Sequence, residues 1–262
     1  MKETIHFAHA NGFPSPCYRE MFRHLLDDYD LSYIDTIGHE SQYPVTDSWT
    51  FLAKELIDNI MRYHTEPVIG VGHSLGGVLN YLAASQRPEL FKAIILLDSP
   101  VYGGLKSRAI KFMKQFKLIN AVSPGRRTIK RRNTWETRQQ VYQYLKSKTI
   151  FQTFDEQCLN DYIDFGMAHH EQMIQLRFKR EIESAIYQTL PHNLVKLKST
   201  VNIPIGLLYG KSSTVIKVHD LKFMQRQLNF KTASVVGDHL FPFQHPKAAA
   251  LALKNMINDL LK

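Results

Sequence analysis

A serine stands between two glycines in the segment GHSLG, residues 72–76, which follows an apolar stretch and precedes a segment of helical character. Where a strand turns sharply into a helix, side chains two positions before and after the central residue would clash, so glycine at both places suits such a turn. The turn lifts the hydroxyl of Ser74 clear of the sheet and places it at a helix N-terminus, where backbone N–H groups stabilise a developing anion. This spacing indicates a nucleophilic serine.

The segments around this motif alternate between strand and helix patterns. Apolar runs such as Ala93–Leu97 are typical of strands that are buried on both faces of a parallel sheet. The pattern therefore predicts an α/β fold, with a mainly parallel sheet and helices on both of its faces. The predicted strands are Thr4–Ala8, Leu31–Thr36, Pro67–Val71, Ala93–Leu97, Ile203–Tyr209 and Ala233–Val236; the predicted helices are about Tyr18–Leu26, Trp49–Tyr63, 75–85, Asp220–Leu228 and Pro246–Leu261.

The alternation stops between residues 101 and 200, which have the pattern of helices and loops rich in charged, aromatic and glutamine residues. We therefore expect a core formed by residues 1–100 and 201–262. The helical insertion, 101–200, follows the strand that ends at Asp98.

The composition is that of a globular protein with a sizeable core, since 44% of the 262 residues are hydrophobic and 22% are charged. No apolar run approaches the roughly 18–20 residues of a membrane helix, and the first residues lack the clean apolar run of a signal peptide. Cys17 and Cys158 are too few for a disulfide framework, so we expect reduced thiols and a cytoplasmic protein. No Cys/His cluster has the spacing of a zinc site, and we expect neither a metal nor an organic cofactor.

Together these segments resemble the α/β-hydrolase superfamily over nearly the whole chain. Residues 72–77 are similar to the nucleophile elbow of that family, and residues 237–239 (GDH) are similar to its histidine loop. Residues 9–14 (HANGFP) lie where members carry their oxyanion loop, and the insertion lies where they carry a helical cap. The resemblance thus implies the α/β-hydrolase fold.

The resemblance also implies catalytic roles. Ser74 would be the nucleophile and His239 the general base that removes its proton. Dehalogenases and epoxide hydrolases of the superfamily have aspartate at this position. The serine found here instead implies acyl transfer on esters, thioesters or amides. His73 flanks the serine within the turn, and we interpret it as structural because its ring should point away from the hydroxyl. His9 is expected either to hold the oxyanion loop or to be a hydrogen-bonded core residue.

The acid of the triad departs from the usual pattern. Members of the family commonly place an aspartate a few residues after the strand that ends here at Gly210, but residues 211–215 (KSSTV) contain no acid. Some members take the acid from the end of the strand after the elbow strand, which implies Asp98 in this chain. Alternatively, Asp98 only stabilises a turn, and Asp238 or Asp220 is the acid of the triad. For the oxyanion hole the resemblance implies the N–H groups of Leu75 and Phe13; the side chain of Asn11 is the alternative, and Gly12 allows close approach.

The insertion is strongly basic. Ten Lys and Arg residues and no acid lie between Leu105 and Arg132. Because the net charge of the whole chain is +9, the net charge of the remaining residues is −1. Leu105–Ile119 has the period of an amphipathic helix, with its apolar residues within an arc of about 120°. We expect this apolar face to cover the active site, with solvated lysines opposite. The sharper alternative is an anionic partner, either a phosphate-bearing substrate such as an acyl-CoA or an acidic membrane surface; we expect no nucleic acid.

The aromatic residues of the insertion fit either an apolar acyl pocket or packing within the cap; they are Phe151, Phe154, Tyr162, Phe165, Phe178 and Tyr187.

These inferences predict a serine hydrolase that cleaves a small-molecule carboxylic ester or thioester through an acyl-enzyme. Two alternatives share the same residues. One is a cofactor-free haloperoxidase or a C–C bond hydrolase. The other is a small-molecule sensor with slow or absent turnover, which the missing acid after Gly210 keeps open.

Overall fold

Six parallel strands form the central sheet of the computed structural model, which describes residues 2–116, 118–119 and 124–262. The strand order is β2-β1-β3-β4-β8-β9, and every neighbouring pair is parallel. The parallel sheet predicted from the sequence is confirmed. The six strands are β1 Glu3–Ala8, β2 Tyr29–Tyr33, β3 Val68–His73, β4 Phe91–Leu97, β8 Ile205–Gly210 and β9 Lys231–Val235.

Helices pack on both faces of this sheet because alternate residues of its strands point to opposite sides. Ile95 and Leu97 belong to one apolar core, whereas Ile94 and Leu96 belong to the other. The first core includes the C-terminal helix α12, and the second includes α2 and α3. The α-helices are α1 Arg19–Arg23, α2 Thr50–Tyr63, α3 Leu75–Gln86, α4 Gly104–Gln115, α5 Gly125–Lys130, α6 Arg138–Lys146, α7 Thr149–Gln152, α8 Glu156–Phe165, α9 Arg180–Gln188, α10 Val218–Leu228, α11 Phe241–Gln244 and α12 Pro246–Leu260.

Residues 101–200 are not helices and loops alone, so that prediction was wrong in one respect. They contain an antiparallel sheet in the order β5-β7-β6, formed by Thr134–Trp135, Met173–Leu176 and Met167–His170. The hairpin between β6 and β7 turns at Glu171, which has a φ of 54°. Sequence reasoning missed this hairpin because the turn carries Glu-Gln rather than the Asn-Gly or Asp-Gly that usually marks such turns.

The amphipathic helix expected at Leu105–Ile119 is present as α4, but most of the residues expected on its buried face are exposed, whereas Met113 is half-buried and Ile119 is buried. The apolar residues Leu105, Phe112 and Phe116 are 80%, 55% and 55% exposed. The side turned toward the protein carries the buried Ile110 and two lysines: Lys106 pairs with Asp220, and Lys114 pairs with Asp47. The expectation of an apolar face over the active site was therefore wrong. Lys117, one of the ten basic residues, lies outside the described residues.

Among the residues that the structure describes, no helix combines the length and the apolar character needed to cross a membrane. Cys17 and Cys158 are both buried and unbridged, as expected.

Candidate active site

Ser74 lies in the turn between β3 and α3 with a strained backbone, φ 51° and ψ −108°. A Cβ at Gly72 would lie 2.2 Å from the carbonyl carbon of Gly76, and one at Gly76 would lie 2.0 Å from the carbonyl oxygen of Ala8. Both positions therefore require glycine, as the sequence spacing predicts. The N–H of Ser74 donates to the carbonyl oxygen of Leu97 at 2.9 Å, which fixes the turn against the next strand.

The structure brings Ser74, His239 and Asp98 together from three separate segments. The Nε2 atom of His239 lies 3.1 Å from Oγ of Ser74, and its Nδ1 atom lies 2.7 Å from Oδ2 of Asp98. Since an ionised carboxylate only accepts hydrogen bonds, Nδ1 carries the ring proton. Nε2 is then free to accept the proton of the serine hydroxyl. The side chain of His239 is 27% exposed, whereas Asp98 is fully buried.

Three donors compensate for the burial of the Asp98 carboxylate. Besides His239, the N–H of Gly210 donates to Oδ1 at 3.0 Å, and the hydroxyl of Ser213 donates to Oδ2 at 2.5 Å. A buried carboxylate without such partners would be strongly destabilising. The segment after Gly210 that lacks an acid thus contributes a hydroxyl donor to the acid of the preceding strand. Sequence reasoning missed Ser213, although its position three residues after the end of β8 was a usable signal.

The two rival carboxylates have other partners. Asp220 caps α10, since its Oδ2 atom accepts the N–H of Lys217 at 3.0 Å and also accepts from the ammonium group of Lys106. Asp238 accepts the N–H of Leu240 at 2.7 Å through Oδ1, which shapes the turn that carries His239.

His73 joins the elbow to the loop that carries His239. Its Nε2 atom lies 2.8 Å from the carbonyl oxygen of His239, and its Nδ1 atom lies 2.7 Å from the hydroxyl of Tyr18. Burial holds the pKa of His73 well below its ordinary value, so the ring is neutral and carries one proton. The carbonyl requires that proton on Nε2, so Nδ1 accepts from Tyr18. The Tyr18 oxygen in turn accepts the N–H of Ala10 at 3.2 Å.

The loop of residues 9–14 is held by the ring of His9. Its Nδ1–H donates to the carbonyl oxygen of Ala10 at 2.8 Å, and its Nε2 atom accepts the N–H of Ile37 at 2.8 Å. Burial lowers the pKa of His9 to about 4, which keeps this ring neutral. The carbonyl oxygen of His9 accepts the N–H of Gly76 at 3.1 Å. The loop therefore lies directly against the elbow.

The three residues expected at the oxyanion hole differ in what their donors contact. Leu75 begins α3, so its N–H has no acceptor within the helix. The N–H of Phe13 donates to the carbonyl oxygen of Ala10 at 3.0 Å, closing a turn. The amide nitrogen of Asn11 donates to the carbonyl oxygen of Glu183 at 3.0 Å. Both donors of the loop thus have acceptors within the protein.

An ion pair between the buried Glu183 and the partly exposed Arg131, which sequence reasoning missed, lies against this loop. The carboxyl carbon of Glu183 lies 3.0 Å from the place that a Cβ on Gly12 would occupy, and Gly12 has a φ of 83°. Arg131 donates to both carboxylate oxygens of Glu183, at 2.5 and 3.4 Å. Burial raises the pKa of Glu183 despite this cation. Gly12 of the loop therefore lies against a charged group from residues 101–200.

The aromatic residues of the insertion, by contrast, pack among themselves and against the core. The rings of Phe154 and Phe243 stack with centroids 4.9 Å apart, and those of Phe13 and Tyr162 lie 5.3 Å apart. Phe151, Phe154 and Tyr162 are all buried. Between an acyl pocket and packing within the insertion, these contacts favour packing.

Comparison with known proteins agrees with this geometry. The alpha/beta hydrolase family profile matches residues 7–252. The chain belongs to the alpha/beta hydrolase family. The uncharacterized hydrolase YugF of Bacillus subtilis is 25% identical over 246 residues, which cover 91% of this chain and 84% of that protein. The monoglyceride lipase of Mus musculus is 27% identical over 133 residues, covering 47% of this chain and 44% of the lipase.

A solved alpha/beta hydrolase structure shows the same fold. The crystal structure of E-2-(acetamidomethylene)succinate hydrolase superposes with a TM-score of 0.78 at 19% identity, covering 98% of this chain and 91% of the other. Membership in this family supports a hydrolase activity.

Proposed function

We propose that this alpha/beta hydrolase cleaves a carboxylic ester or thioester through an acyl-enzyme formed on Ser74. The observation that carries the proposal is the continuous hydrogen-bonded chain from Ser74 through His239 to Asp98, with distances of 3.1 and 2.7 Å. The carboxylate of Asp98 accepts the Nδ1–H of His239, and Nε2 of His239 is then able to accept the hydroxyl proton of Ser74.

The reaction begins with transfer of the Ser74 hydroxyl proton to Nε2 of His239 as Oγ attacks the carbonyl carbon. The imidazolium that forms is stabilised by Asp98, which also keeps the ring in the reactive orientation. Collapse of the tetrahedral intermediate expels an alkoxide or thiolate, and His239 returns the proton to this leaving group. A water molecule, deprotonated by the same ring, then attacks the acyl-enzyme and releases the carboxylic acid.

The developing oxyanion is stabilised by the N–H of Leu75 and by the N-terminal end of α3. Phe13 is the second donor we propose. Its N–H already closes the turn to Ala10, so in the transition state it would be shared with the oxyanion or released from that turn. The amide of Asn11 stays the alternative; it also has an acceptor, Glu183.

We also propose that residues 101–200 form a cap over this site. Two contacts support the cap: the amide of Asn11 donates to Glu183, and the hydroxyl of Tyr162 donates to the carbonyl oxygen of Gly12 at 3.3 Å. Both join the insertion to the loop beside the elbow. The substrate would therefore lie between the elbow and the insertion, which agrees with a small-molecule ester or thioester. A similar protein of Mus musculus is a monoglyceride lipase, which supports an ester substrate for this chain.

The proposal is tested by labelling the purified protein with a fluorophosphonate and by assaying p-nitrophenyl esters and acyl-CoAs. We expect one label per chain in the wild type and none in Ser74→Ala, with hydrolysis reduced at least about a thousandfold because a triad acts as a unit. Ser212→Ala is the matched control, since Ser212 is exposed and its substitution should change neither result. Labelling that persists in a folded Ser74→Ala protein would contradict the proposal.

The same experiment separates an enzyme from a sensor. The missing acid after Gly210 keeps a sensor open as an alternative when only the sequence is considered, but the carboxylate of Asp98 lies beside His239. A folded protein that binds ligands without reacting with the fluorophosphonate would be a sensor. Rapid labelling without ester or thioester turnover would instead favour a haloperoxidase or a C–C bond hydrolase.

A further inference from the structure

The exposed side of α4 carries a continuous apolar stripe. Leu105, Ala109, Phe112 and Phe116 recur at intervals of three and four residues, so they fall within an arc of about 60° on the helix. All four are exposed, Leu105 by 80% and the two phenylalanines by 55% each. The rings of Phe112 and Phe116 contact each other, with centroids 4.4 Å apart. An apolar stripe of this kind on a protein surface indicates a binding face.

Polar contacts on the opposite side hold the helix in this orientation. The ammonium group of Lys114 donates to the carbonyl oxygen of Leu190 at 2.8 Å and pairs with Asp47. Lys106 pairs with Asp220, which is itself buried. Turning the apolar stripe inward would break both ion pairs and leave the Asp220 carboxylate without its cation. The exposure of the stripe is therefore fixed by the fold.

Exposed basic side chains flank the stripe on one side. Arg108 and Lys111 lie along one side of it and are exposed. In the segment that follows, four more basic side chains are exposed: Arg126, Arg127, Lys130 and Arg132. Residues 105–132 contain ten basic residues and no acid, whereas the net charge of the rest of the chain is −1. Of those ten, Lys106, Lys114 and Arg131 pair with acidic side chains from outside this segment.

We propose that α4 docks this protein onto the surface of an anionic membrane. Leu105, Phe112 and Phe116 would enter the boundary between headgroups and acyl chains, while Arg108 and Lys111 face the lipid phosphates. An apolar stripe flanked by basic residues is the pattern of helices that lie in the membrane interface. Each basic residue near such a surface adds electrostatic attraction that falls with salt.

The charge argues against the other occupants of such a stripe. In a symmetric pair of chains the same patch meets itself, so the basic residues around the stripe would repel each other. A single-stranded nucleic acid would use the positive charge and stack bases on the phenylalanines, but it would leave Leu105 and Ala109 in water. A membrane with anionic lipids matches both the charge and the apolar side chains.

The helix α4 follows in sequence the sheet edge that carries the candidate site. The helix begins at Gly104, a few residues after Asp98 at the carboxyl end of β4. The inference nevertheless does not depend on the proposed reaction, because binding to a membrane is measured without turnover.

The test is co-sedimentation of the full chain with vesicles of phosphatidylcholine, alone or mixed with phosphatidylglycerol. We expect binding to the mixed vesicles that weakens with added salt, and little binding to phosphatidylcholine alone. Phe112→Ser combined with Phe116→Ser, and separately Arg108→Glu combined with Lys111→Glu, should each weaken binding by about tenfold or more. Phe51→Ser is the matched control, since Phe51 is an exposed phenylalanine on α2, and this variant should bind like the wild type.

Several outcomes would overturn the proposal. One is the absence of sedimentation with mixed vesicles. Another is equal loss of binding in the Phe51→Ser control. A third is a concentration-dependent dimer in analytical ultracentrifugation that the Phe112/Phe116 variant abolishes, because the stripe would then be a self-association face. Binding to RNA that survives loss of both phenylalanines, without binding to vesicles, would assign the charge to nucleic acid instead.

Discussion

The buried imidazole of His73 donates its Nε2–H to the carbonyl oxygen of His239 at 2.8 Å. The residue before the candidate nucleophile thus holds the backbone of the candidate base. Through its other ring nitrogen, His73 accepts from Tyr18, whose oxygen accepts the N–H of Ala10 in the loop beside the elbow. One chain of hydrogen bonds therefore joins the elbow, the histidine loop and the loop after β1.

Tyr18→Phe should impair turnover more than substrate binding. Phenylalanine keeps the ring packing against Phe7 and Phe243 but leaves Nδ1 of His73 and the N–H of Ala10 without their partner. We expect kcat to fall by about tenfold, with KM nearly unchanged, and the free energy of unfolding to fall by about 1–3 kcal/mol.

The control for this prediction is Tyr43→Phe, which removes a hydroxyl that donates to Asp58 at 2.8 Å, far from the candidate site. It should leave kcat unchanged. If the Tyr18 variant loses stability but keeps its kcat, the network is structural and does not position the reacting groups.

Asp98→Asn should lower kcat by about 10²–10⁴-fold, because an amide neither fixes the proton on Nδ1 of His239 nor stabilises the imidazolium. Steady-state kinetics on the best ester found in the panel measures the effect. Asp220→Asn and Asp238→Asn should cost far less, since their carboxylates accept backbone N–H groups, at the start of α10 and within the histidine loop, and do not bond the ring of His239. A full loss in either of these two, beside an active Asp98→Asn protein, would show that the acid is not Asp98.

The sequence predicts those parts of this site that depend on local backbone geometry. The two glycines around Ser74 are required by contacts under 2.5 Å, and such a steric requirement is visible in a pattern of five residues. Asp98 and His239 each follow a strand of a parallel sheet, and the carboxyl ends of such strands share one edge. The structure brings these side chains together as the order of the strands implies.

Long-range polar contacts could not be predicted in the same way. Tyr18 and His73 lie 55 residues apart, and Arg131 and Glu183 lie 52 apart. Neither pair belongs to a sequence motif. The orientation of α4 was missed for a related reason: its period shows two faces, but only the partners Asp47 and Asp220 decide that the lysine face points inward.

Arg131→Gln should destabilise the protein at neutral pH by about 3–5 kcal/mol, because it leaves the buried carboxylate of Glu183 without its cation. The penalty should shrink as the pH falls, since the raised pKa of Glu183 allows the neutral carboxyl to form there. Urea unfolding at several pH values measures this dependence. The double variant Arg131→Gln/Glu183→Gln should recover most of the loss, and a double variant as unstable as the single one would contradict a role for the ion pair.

Glu55 on α2 is expected to make the fold less stable as the pH rises. Its carboxylate accepts the N–H of Gly38 at 2.8 Å, but burial raises its pKa from 4.5 to about 7. A raised pKa in an acid means that folding favours the neutral form. The contribution of Glu55 is therefore complete below pH 4.5, falls as the pH rises to about 7, and is constant above that.

Glu55→Gln removes this titration while keeping an oxygen that accepts from Gly38. Between pH 4.5 and 7.5, the free energy of unfolding of the variant should improve relative to the wild type by up to about 3 kcal/mol, as the shift of the pKa requires. The buried histidines His6 and His9, whose pKa values burial lowers to about 4, destabilise both proteins alike as the pH falls below 6.5, so their effect cancels in the difference. The exposed Glu66→Gln control should show no such trend. If the Glu55→Gln variant and the wild type have parallel pH profiles in chemical denaturation, Glu55 is ionised in the fold throughout this range and the prediction is wrong.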